Sequence, residues 1–286
     1  MKKWVVFFVV IIGAVYPSFA QNTKIDLSIY GNVPDAVPND EKSMLEWARQ
    51  IPSGSARLNS VDGPWPSPLY KAVYFEYPDV VKVLLDKGSK VQVIGNGGYP
   101  LQIAAQKGNQ KIAELLISKG ADVNLINDGT PLLEGALHHA AREGRLEFVE
   151  FLLKKGANPK NGGPVLDWPS KKGYLEIVKL LINSGADVKT KNYLGRSCLH
   201  NAALGGNYEI ADLLIKNGAD VNLAAGDGAT PLYEAVIGGD LKVVELLVSK
   251  GADVNAAATY GRTALWRAKT EKHKEIEDFL VKMGAK

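Results

Sequence analysis

The sequence predicts an all-α solenoid of about seven helix-turn-helix units, preceded by an N-terminal cap and an export leader. Three observations support this prediction: an apolar stretch behind two N-terminal lysines, a glycine-led phrase that occurs seven times along the chain, and a second phrase upstream of six of these glycines. The recurrences are about 33 residues apart, and self-similarity at such a fixed period is the signature of repeat architectures. We assign residues 1–20 to the leader, 21–62 to the cap and 63–286 to the repeats.

The first residues have the three-part form of a secretory signal peptide. Two lysines precede an apolar stretch from Trp4 to Tyr16, and Ser18-Phe19-Ala20 places small residues at the two positions that determine cleavage. A membrane anchor is the alternative, but the thirteen apolar residues span only about 20 Å as a helix, against a hydrocarbon core of roughly 30 Å. We therefore expect cleavage after Ala20 and a mature chain without a membrane span, periplasmic or secreted. Gln21 stands where a bacterial lipoprotein would need cysteine, so no lipid anchor is expected.

Composition and charge are those of an ordinary globular protein. Of the 286 residues, 46% are hydrophobic and 23% are charged, which places the chain outside the disordered class. Without the leader the chain keeps 32 basic residues against 31 acidic ones, and this balance gives no reason to expect nucleic acid as a partner. Cys198 is the only cysteine, so no internal disulfide can form. A redox role for it stays open, although we favour a small buried hydrophobe.

Residues 21–62 do not fit the repeat. Within them, Lys42–Ile51 has the spacing of one amphipathic helix. We interpret this segment as a cap that covers the apolar flank of the first unit, because the terminal units of a solenoid need such cover.

Two phrases define each repeating unit. The closing phrase reads Gly-Ala-Asp-Val-Asn in its strongest forms, and its glycines are Gly88, Gly120, Gly156, Gly185, Gly218, Gly251 and Gly284. Successive glycines are 32, 36, 29, 33, 33 and 33 residues apart. The opening phrase occurs as Ser67-Pro-Leu-Tyr, Tyr99-Pro-Leu-Gln, Gly135-Ala-Leu-His, Ser197-Cys-Leu-His, Thr230-Pro-Leu-Tyr and Thr263-Ala-Leu-Trp. Two coupled phrases repeated in this way are not a product of chance.

Each phrase has a physical reading. Ser or Thr caps a first helix and Pro stands in its first turn, where the missing N–H costs nothing. A short turn leads into a second helix such as Leu241–Lys250, and Gly251 ends that helix in a left-handed conformation. The apolar stripe of this helix is predicted to be Leu241, Val244, Leu247 and Val248.

The two phrases closely resemble those of the ankyrin repeat family, in which T-P-L-H-x-A-A opens the first helix and G-A-D-V-N closes the second. The resemblance covers residues 63–286, in repeats at approximately 64–96, 97–129, 130–161, 162–194, 195–227, 228–260 and 261–286. It implies a curved stack of antiparallel helix pairs with β-turn fingers at one edge. It also implies binding of a protein partner through the fingers and first helices, without catalytic residues. Together with the leader, it points to an exported bacterial ankyrin protein, for which we expect no cofactor and no metal.

Two neighbouring fingers depart from the pattern. The stretch Leu125–Glu134 is three residues longer than the period requires and contains a false start at Thr130-Pro131-Leu132, so we place the true helix start at Gly135. The next finger, around Pro159–Gly163, is four residues short. Pro169 then stands inside the following first helix and is expected to distort it. Irregularity in a repeat array often marks the functional face.

Catalysis and metal binding find little support in the sequence. His138 and His200 occupy the fourth position of the opening phrase, hereafter the His slot, whose role in the family is hydrogen bonding within and between turns. Cys198 lies two residues before His200, and side chains so spaced on a helix diverge, which excludes a nucleophile–base pair there. No His-x-x-x-His or Cys-x-x-Cys spacing supports zinc.

Partner binding is the more promising chemistry. Tyr193 and Tyr260 lie on finger tips, and large aromatic side chains in such positions suit a binding surface. His139 and Arg267 follow the His slot, and in the family this position points away from the second helix. We predict that these four residues share one concave side. Packing between units is the alternative for the aromatic residues, among them Trp168, and is favoured for Trp266.

Two functions fit this sequence. The leading hypothesis is a non-enzymatic scaffold or adaptor in the bacterial periplasm, acting as a monomer on another protein. The alternative is an inhibitor or immunity protein that neutralises a toxin or hydrolase of the same compartment. Both functions require the same kind of protein-binding surface, so the sequence alone does not distinguish them.

The leader gives the first testable prediction. The mature chain should begin at Gln21, because Ala20 ends a small-x-small site behind a short apolar stretch. Amino-terminal sequencing of the protein from its native host measures this directly. A cytosolic protein that keeps Met1 would contradict it.

Overall fold

The computed structural model describes residues 37–61, 63–95, 97–127 and 134–286. The leader, the part of the proposed cap before residue 37 and the false start at Thr130-Pro131-Leu132 lie outside the described residues. Contacts divide the chain into two compact units. The first runs up to Pro100 and includes Lys111–Ala121, and the second comprises Leu101–Gln110 and Asp122–Lys286.

The regular secondary structure of the described residues is almost entirely helical. They form fifteen α-helices, a 3-10 helix at Ala56–Asn59 and one finger with two short strands around a second 3-10 turn. The α-helices are α1 Glu41–Gln50, α2 Pro68–Tyr74, α3 Pro78–Asp86, α4 Pro100–Lys107, α5 Gln110–Ser118, α6 Ala136–Arg142, α7 Leu146–Lys154, α8 Asp167–Lys172, α9 Leu175–Asn183, α10 Cys198–Leu204, α11 Tyr208–Lys216, α12 Pro231–Gly238, α13 Leu241–Ser249, α14 Ala264–Glu271 and α15 Lys274–Lys282. The strands β1 Ala257–Ala258 and β2 Arg262–Thr263 pair antiparallel. From α2 onward, consecutive helices form seven pairs along the chain, which confirms the predicted helix-turn-helix solenoid.

The first unit contains the amphipathic helix that the sequence predicts. This helix, α1, begins after Asp40, whose Oδ1 accepts a hydrogen bond from Ser43 N at 2.9 Å. Its apolar face buries Met44 and Ala48, and the helix packs on α3. The chain before this helix is also fixed, because the buried Lys71 donates a hydrogen bond from Nζ to Val37 O at 2.6 Å.

In the second unit the helices from α6 onward form two layers. The first helices α6, α8, α10, α12 and α14 each contact the next one, and the second helices α7, α9, α11, α13 and α15 do the same. Within each pair the two helices also contact each other. The core therefore lies between the layers, where every first helix is enclosed by its own partner and by its neighbours.

Local signals in the phrases operate as predicted. Thr230 caps α12 by accepting a hydrogen bond from Tyr233 N at 3.3 Å, and Pro231 occupies the first turn. Gly251 ends α13 with a φ of 91°. The predicted stripe of α13 needs correction, because the fully buried residues are Val243, Val244, Leu246 and Leu247, while Leu241 and Val248 are only partly buried. The helix contacts its own partner and both neighbouring second helices, so the buried face is displaced and wider than a single stripe.

The last residue of the closing phrase joins consecutive units. Asn222 donates from Nδ2 to Gly251 O at 2.9 Å and accepts from Asp253 N at 2.8 Å. Asn124 and Asn255 make the same pair of contacts with the following unit. One amide side chain thus satisfies a free carbonyl at the next helix end and a free N–H in the next loop, which explains why asparagine suits this position.

The irregular repeat is accommodated differently from the expectation. Helix α6 begins after Gly135, as predicted. Helix α8 is not distorted by Pro169; it begins only at Asp167 and is six residues long. Pro169 is then the third residue of the helix, within the first turn, where no intrahelical partner is lost. The proline shortens the helix at its start instead of bending it.

The helix ends yield a stability prediction. Gly218 ends α11 with a φ of 91° in open surroundings, so a substitution there meets backbone strain and little steric contact. Gly218→Val should lower the free energy of unfolding by roughly 1–3 kcal/mol, because a β-branched residue resists positive φ. Glu209→Val, at an exposed position inside the same helix, is the control and should cost only about 0.5 kcal/mol. Equal denaturation midpoints for the two variants would contradict this account of the helix end.

Candidate functional site

A cavity of about 520 Å³ lies in the second unit, beside the two irregular fingers. It is lined by the base of the long finger, the short finger, α8, the next finger and the facing side of α10, with one side chain from α12. The short finger and the late start of α8 remove chain that a regular repeat would place here. The cavity therefore arises where the sequence departs from the period.

The His slot explains how regular units are joined. His200 accepts a hydrogen bond at Nδ1 from Ser197 N at 3.1 Å, and its Nε2 lies 3.1 Å from Ala229 O, immediately before the next cap. Since Nδ1 accepts, Nε2 carries the proton and donates. His138 repeats this arrangement with Gly135 N and Gly163 O. Burial lowers the pKa of both imidazoles, that of His200 to about 4, so they stay neutral near pH 7.

Asp167 occupies the same slot in the irregular repeat. Its Oδ2 accepts a hydrogen bond from Asn192 Nδ2 at 2.8 Å, whereas its Oδ1 is buried without a hydrogen-bond partner among the described residues. Burial raises the pKa of this carboxyl to about 7, and the amides of Asn192 and Asn201 offset only part of that effect. A carboxylate cannot replace the proton that histidine donates. The slot thus becomes an acceptor, in a residue that lines the cavity.

The other acidic groups of the cavity have cationic partners. Arg196 lies 2.8 Å from Glu234 Oε1 and 3.1 Å from Asp227 Oδ2 through the same nitrogen. Glu234 is 2% exposed, and its pKa is raised by burial although the guanidinium of Arg196 lowers it in part. Glu134 forms an ion pair with Arg142. Each acidic side chain that lines the cavity, except Asp167, thus has an arginine partner.

Three large apolar side chains at this cavity are open to solvent. Trp168 is 41% exposed, Tyr193 66% and Leu194 45%, and all three line the cavity. The ring of Trp168 lies 5.4 Å from the guanidinium of Arg142 and 5.8 Å from the ammonium of Lys171. Exposed aromatic side chains around a concave, partly polar site are typical of protein-interaction surfaces.

The four residues predicted to bind a partner lie in different environments. Tyr193 lines the cavity, while Tyr260 is 88% exposed on a separate finger with its ring 5.5 Å from the guanidinium of Arg262. His139 is largely enclosed, its Nδ1 has no hydrogen-bond partner among the described residues, and burial lowers its pKa to about 4. Arg267 forms an ion pair with Glu271 at 2.8 Å. Of the four, the structure brings only Tyr193 to the cavity.

Asp167, Arg196 and Glu234 are not among the site residues predicted from the sequence. A signal for Asp167 was nevertheless present, since aligning Pro164-Val165-Leu166-Asp167 with Ser197-Cys198-Leu199-His200 puts an acid in the His slot. Arg196 and Glu234 carried no comparable signal, because their ion pair joins a finger to a helix of the next unit and depends on how the two pack.

Cys198 is engaged inside the fold. Its thiol is buried and donates a hydrogen bond to Val188 O at 3.3 Å, and burial raises its pKa. In the described ranges no group of three or more His, Cys, Asp or Glu residues is arranged to hold a metal ion. Within the same part of the chain, no helix is both long enough and apolar enough to cross a membrane.

Comparison with known proteins decides the family. The model described as "Ankyrin repeats (3 copies)" matches residues 36–127, 126–192, 170–258 and 199–286. The chain belongs to the ankyrin repeat family. Its ankyrin repeats indicate a protein-interaction scaffold.

Several curated ankyrin proteins are similar to parts of the chain. Ankyrin repeat protein nuc-2 of Neurospora crassa is 31% identical over 139 residues, 47% of this chain and 13% of that protein. Ankyrin repeat and KH domain-containing protein mask-1 of Caenorhabditis elegans is 37% identical over 97 residues, 32% of this chain and 4% of that protein. Neurogenic locus notch homolog protein 1 of Mus musculus is 32% identical over 118 residues, 41% of this chain and 4% of that protein. The chain thus matches only a small part of each relative's length.

The unusual carboxyl of this ankyrin array gives a pH prediction. The pKa of Asp167 is about 7 in the folded protein against an ordinary 3.8, so the folded state holds this proton more tightly. The contribution of this carboxyl to the free energy of unfolding is therefore lost as pH rises from about 4 to 7, and it remains lost at higher pH. Asp167→Asn keeps an acceptor and removes the titration. The free energy of unfolding of Asp167→Asn, relative to that of the unsubstituted protein, should therefore be higher at pH 8 than at pH 5 by on the order of 2–3 kcal/mol.

Urea denaturation at pH 5 and at pH 8 measures this difference. The histidines that titrate in the same range are common to both proteins and cancel. Asp220→Asn, which removes the same charge from an exposed position, controls for net charge. An equal effect of Asp167→Asn at both pH values would show that the carboxyl is not buried as described.

Proposed function

We propose that this chain is a non-enzymatic scaffold that holds a protein partner in the bacterial periplasm. The surface that contacts the partner is the cavity beside α8 together with its apolar rim. One observation carries the proposal: Trp168, Tyr193 and Leu194 are all exposed and all line the same cavity.

The rim supports protein binding on physical grounds. Tyr and Trp bring large contact area at low cost in conformational entropy, and such residues dominate the binding energy of many interfaces. They stand here on α8 and a finger that rest on a two-layer helical array, which positions them before binding. A preorganised surface loses less conformational entropy when the partner binds.

The side chains with nucleophilic or acid–base chemistry favour a non-enzymatic role. The Cys198 thiol is buried and bonded to a backbone carbonyl, and both nitrogens of His200 are used in structural hydrogen bonds. Asp167 has a raised pKa, a feature that also marks general acids. Its neighbouring carboxylate Glu234 is held by Arg196, however, and is not available as the second group of an acid–base pair.

The periplasmic location rests on the N-terminal sequence. Two lysines, a short apolar stretch and the small-x-small site before Gln21 together support export. An oxidising compartment would place no constraint on this chain, because its single thiol is enclosed.

The proposal is tested by affinity capture from the periplasm of the native host, followed by mass spectrometry and by binding measurements on the captured protein. Trp168→Ala with Tyr193→Ala should weaken that binding by at least about 1–2 kcal/mol, the scale of interface anchors, while the fold remains intact. Tyr260→Ala, measured separately, shows whether a finger away from the cavity takes part.

The matched control is Glu245→Ala with Lys250→Ala, two exposed positions of the second-helix layer, which should have little effect. If this control pair weakened binding and the aromatic pair did not, the proposed surface would be wrong. The identity of the captured protein separates the two roles: an envelope enzyme supports an adaptor, and a toxin or hydrolase that loses its activity on binding supports an inhibitor.

A further inference from the structure

The last finger carries an arginine whose guanidinium has no carboxylate partner among the described residues. This residue, Arg262, begins β2 and is exposed. Its guanidinium carbon lies 4.7 Å from the ring centre of Trp266 and 5.5 Å from that of Tyr260. A ring face attracts the positive charge but offers no oxygen atom to the N–H groups. An acceptor for these donors can therefore come from outside the chain.

A second arginine of the array shows what this position binds. Arg196 and Arg262 each stand between a glycine and the residue that caps a first helix. Arg196 pairs with two carboxylates of the following unit, Asp227 Oδ2 at 3.1 Å and Glu234 Oε1 at 2.8 Å. An arginine at this place on a finger is thus positioned to bind carboxylates that approach from the side of the next unit.

The acids near Arg262 are already paired. Between residues 257 and 272 there are four basic residues and one acid, Glu271, and Glu271 forms its ion pair with Arg267 at 2.8 Å. The adjoining finger contacts this one through the backbone carbonyl of Asp227, but the carboxylate of Asp227 is held within its own finger and by the preceding one. The last finger and α14 therefore present a net positive charge, which favours an acidic partner.

The finger restrains this arginine before a partner binds. Tyr260 has a φ of 64°, a left-handed conformation that residues other than glycine adopt rarely. Such a conformation persists only where the surrounding structure determines it, and here the paired strands β1 and β2 lie on either side of the turn. With two rings at its guanidinium, Arg262 loses less conformational entropy on binding than an unrestrained surface arginine would.

We propose that Arg262, with Tyr260 and Trp266 at its guanidinium, is a receptor for a glutamate or aspartate side chain of the protein partner. A carboxylate can accept two parallel hydrogen bonds from a guanidinium, and such charge-assisted bonds are stronger than neutral ones. The inference rests on the proposed function for the class of partner, a protein. It adds a second contact surface on the last finger, separate from the cavity beside α8.

The test uses the full mature chain and two tripeptide probes, acetyl-Gly-Glu-Gly-amide and acetyl-Gly-Gln-Gly-amide. The two probes have nearly the same shape, and only the first carries a charge. Binding is followed by NMR through the indole N–H resonance of Trp266, assigned with Trp266→Phe. The glutamate probe should bind about fivefold more tightly than the glutamine probe, the upper range for an exposed ion pair.

Arg262→Gln should remove this preference. The matched control is Lys242→Gln, which removes the same charge from an exposed position of α13 and should retain the preference. Thermal unfolding of each variant verifies that the fold is intact. Equal binding of the two probes, binding of neither, or a preference that survives in Arg262→Gln would each overturn the inference.

Failure here can be told apart from failure of the proposed function. If the captured partner depends on Trp168 and Tyr193 while Arg262→Gln binds it as the unsubstituted protein does, the cavity surface stands and the carboxylate receptor is wrong. If Arg262→Gln weakens partner binding and the aromatic pair at the cavity does not, the receptor stands and the cavity surface is wrong. If the partner depends on none of the three residues, both proposals fall.

Discussion

A single hydrogen bond, repeated from unit to unit, organises this part of the ankyrin array. In each case a side chain in the His slot donates to the carbonyl just before the next helix cap: Gln102 to Glu134 O, His138 to Gly163 O and His200 to Ala229 O. No helix pair can bury its apolar faces alone, so the position of the next pair must be fixed. The slot residue fixes it at the finger edge, and the asparagine of the closing phrase fixes it at the other end of the unit.

The candidate site exists because one unit replaces that donor with an acceptor. Asp167 cannot donate to the next unit in its ionised form, and it turns to Asn192 of the adjoining finger. The finger before it is short and α8 begins late, so the cavity that Asp167 lines is not filled by chain. A destabilising residue, a shortened helix and exposed aromatic side chains thus occur in one place. Functional sites commonly combine such local departures from an otherwise consistent fold.

The sequence predicted those features that depend on a few adjacent residues. Caps such as Thr230 and helix ends such as Gly251 follow from local backbone chemistry, and both are confirmed. The prediction for the apolar stripe of α13 was wrong because the buried face depends on three neighbouring helices. The predicted distortion by Pro169 was wrong because a helix can start later to accommodate a proline. The cavity could not be predicted, since its walls come from several separate segments whose separation is set by packing. That a functional feature lies beside the two irregular fingers could be predicted.

The linear arrangement of the units gives Asp167 a wider consequence. In a repeat array, stability is close to a sum of terms for single units and for junctions between nearest neighbours. The junction between α8 and α10 lacks the usual slot donor, so its term in that sum omits a hydrogen bond that the junctions on either side contain. In such a sum, the terms at individual junctions set how far the array unfolds and refolds as a single cooperative body.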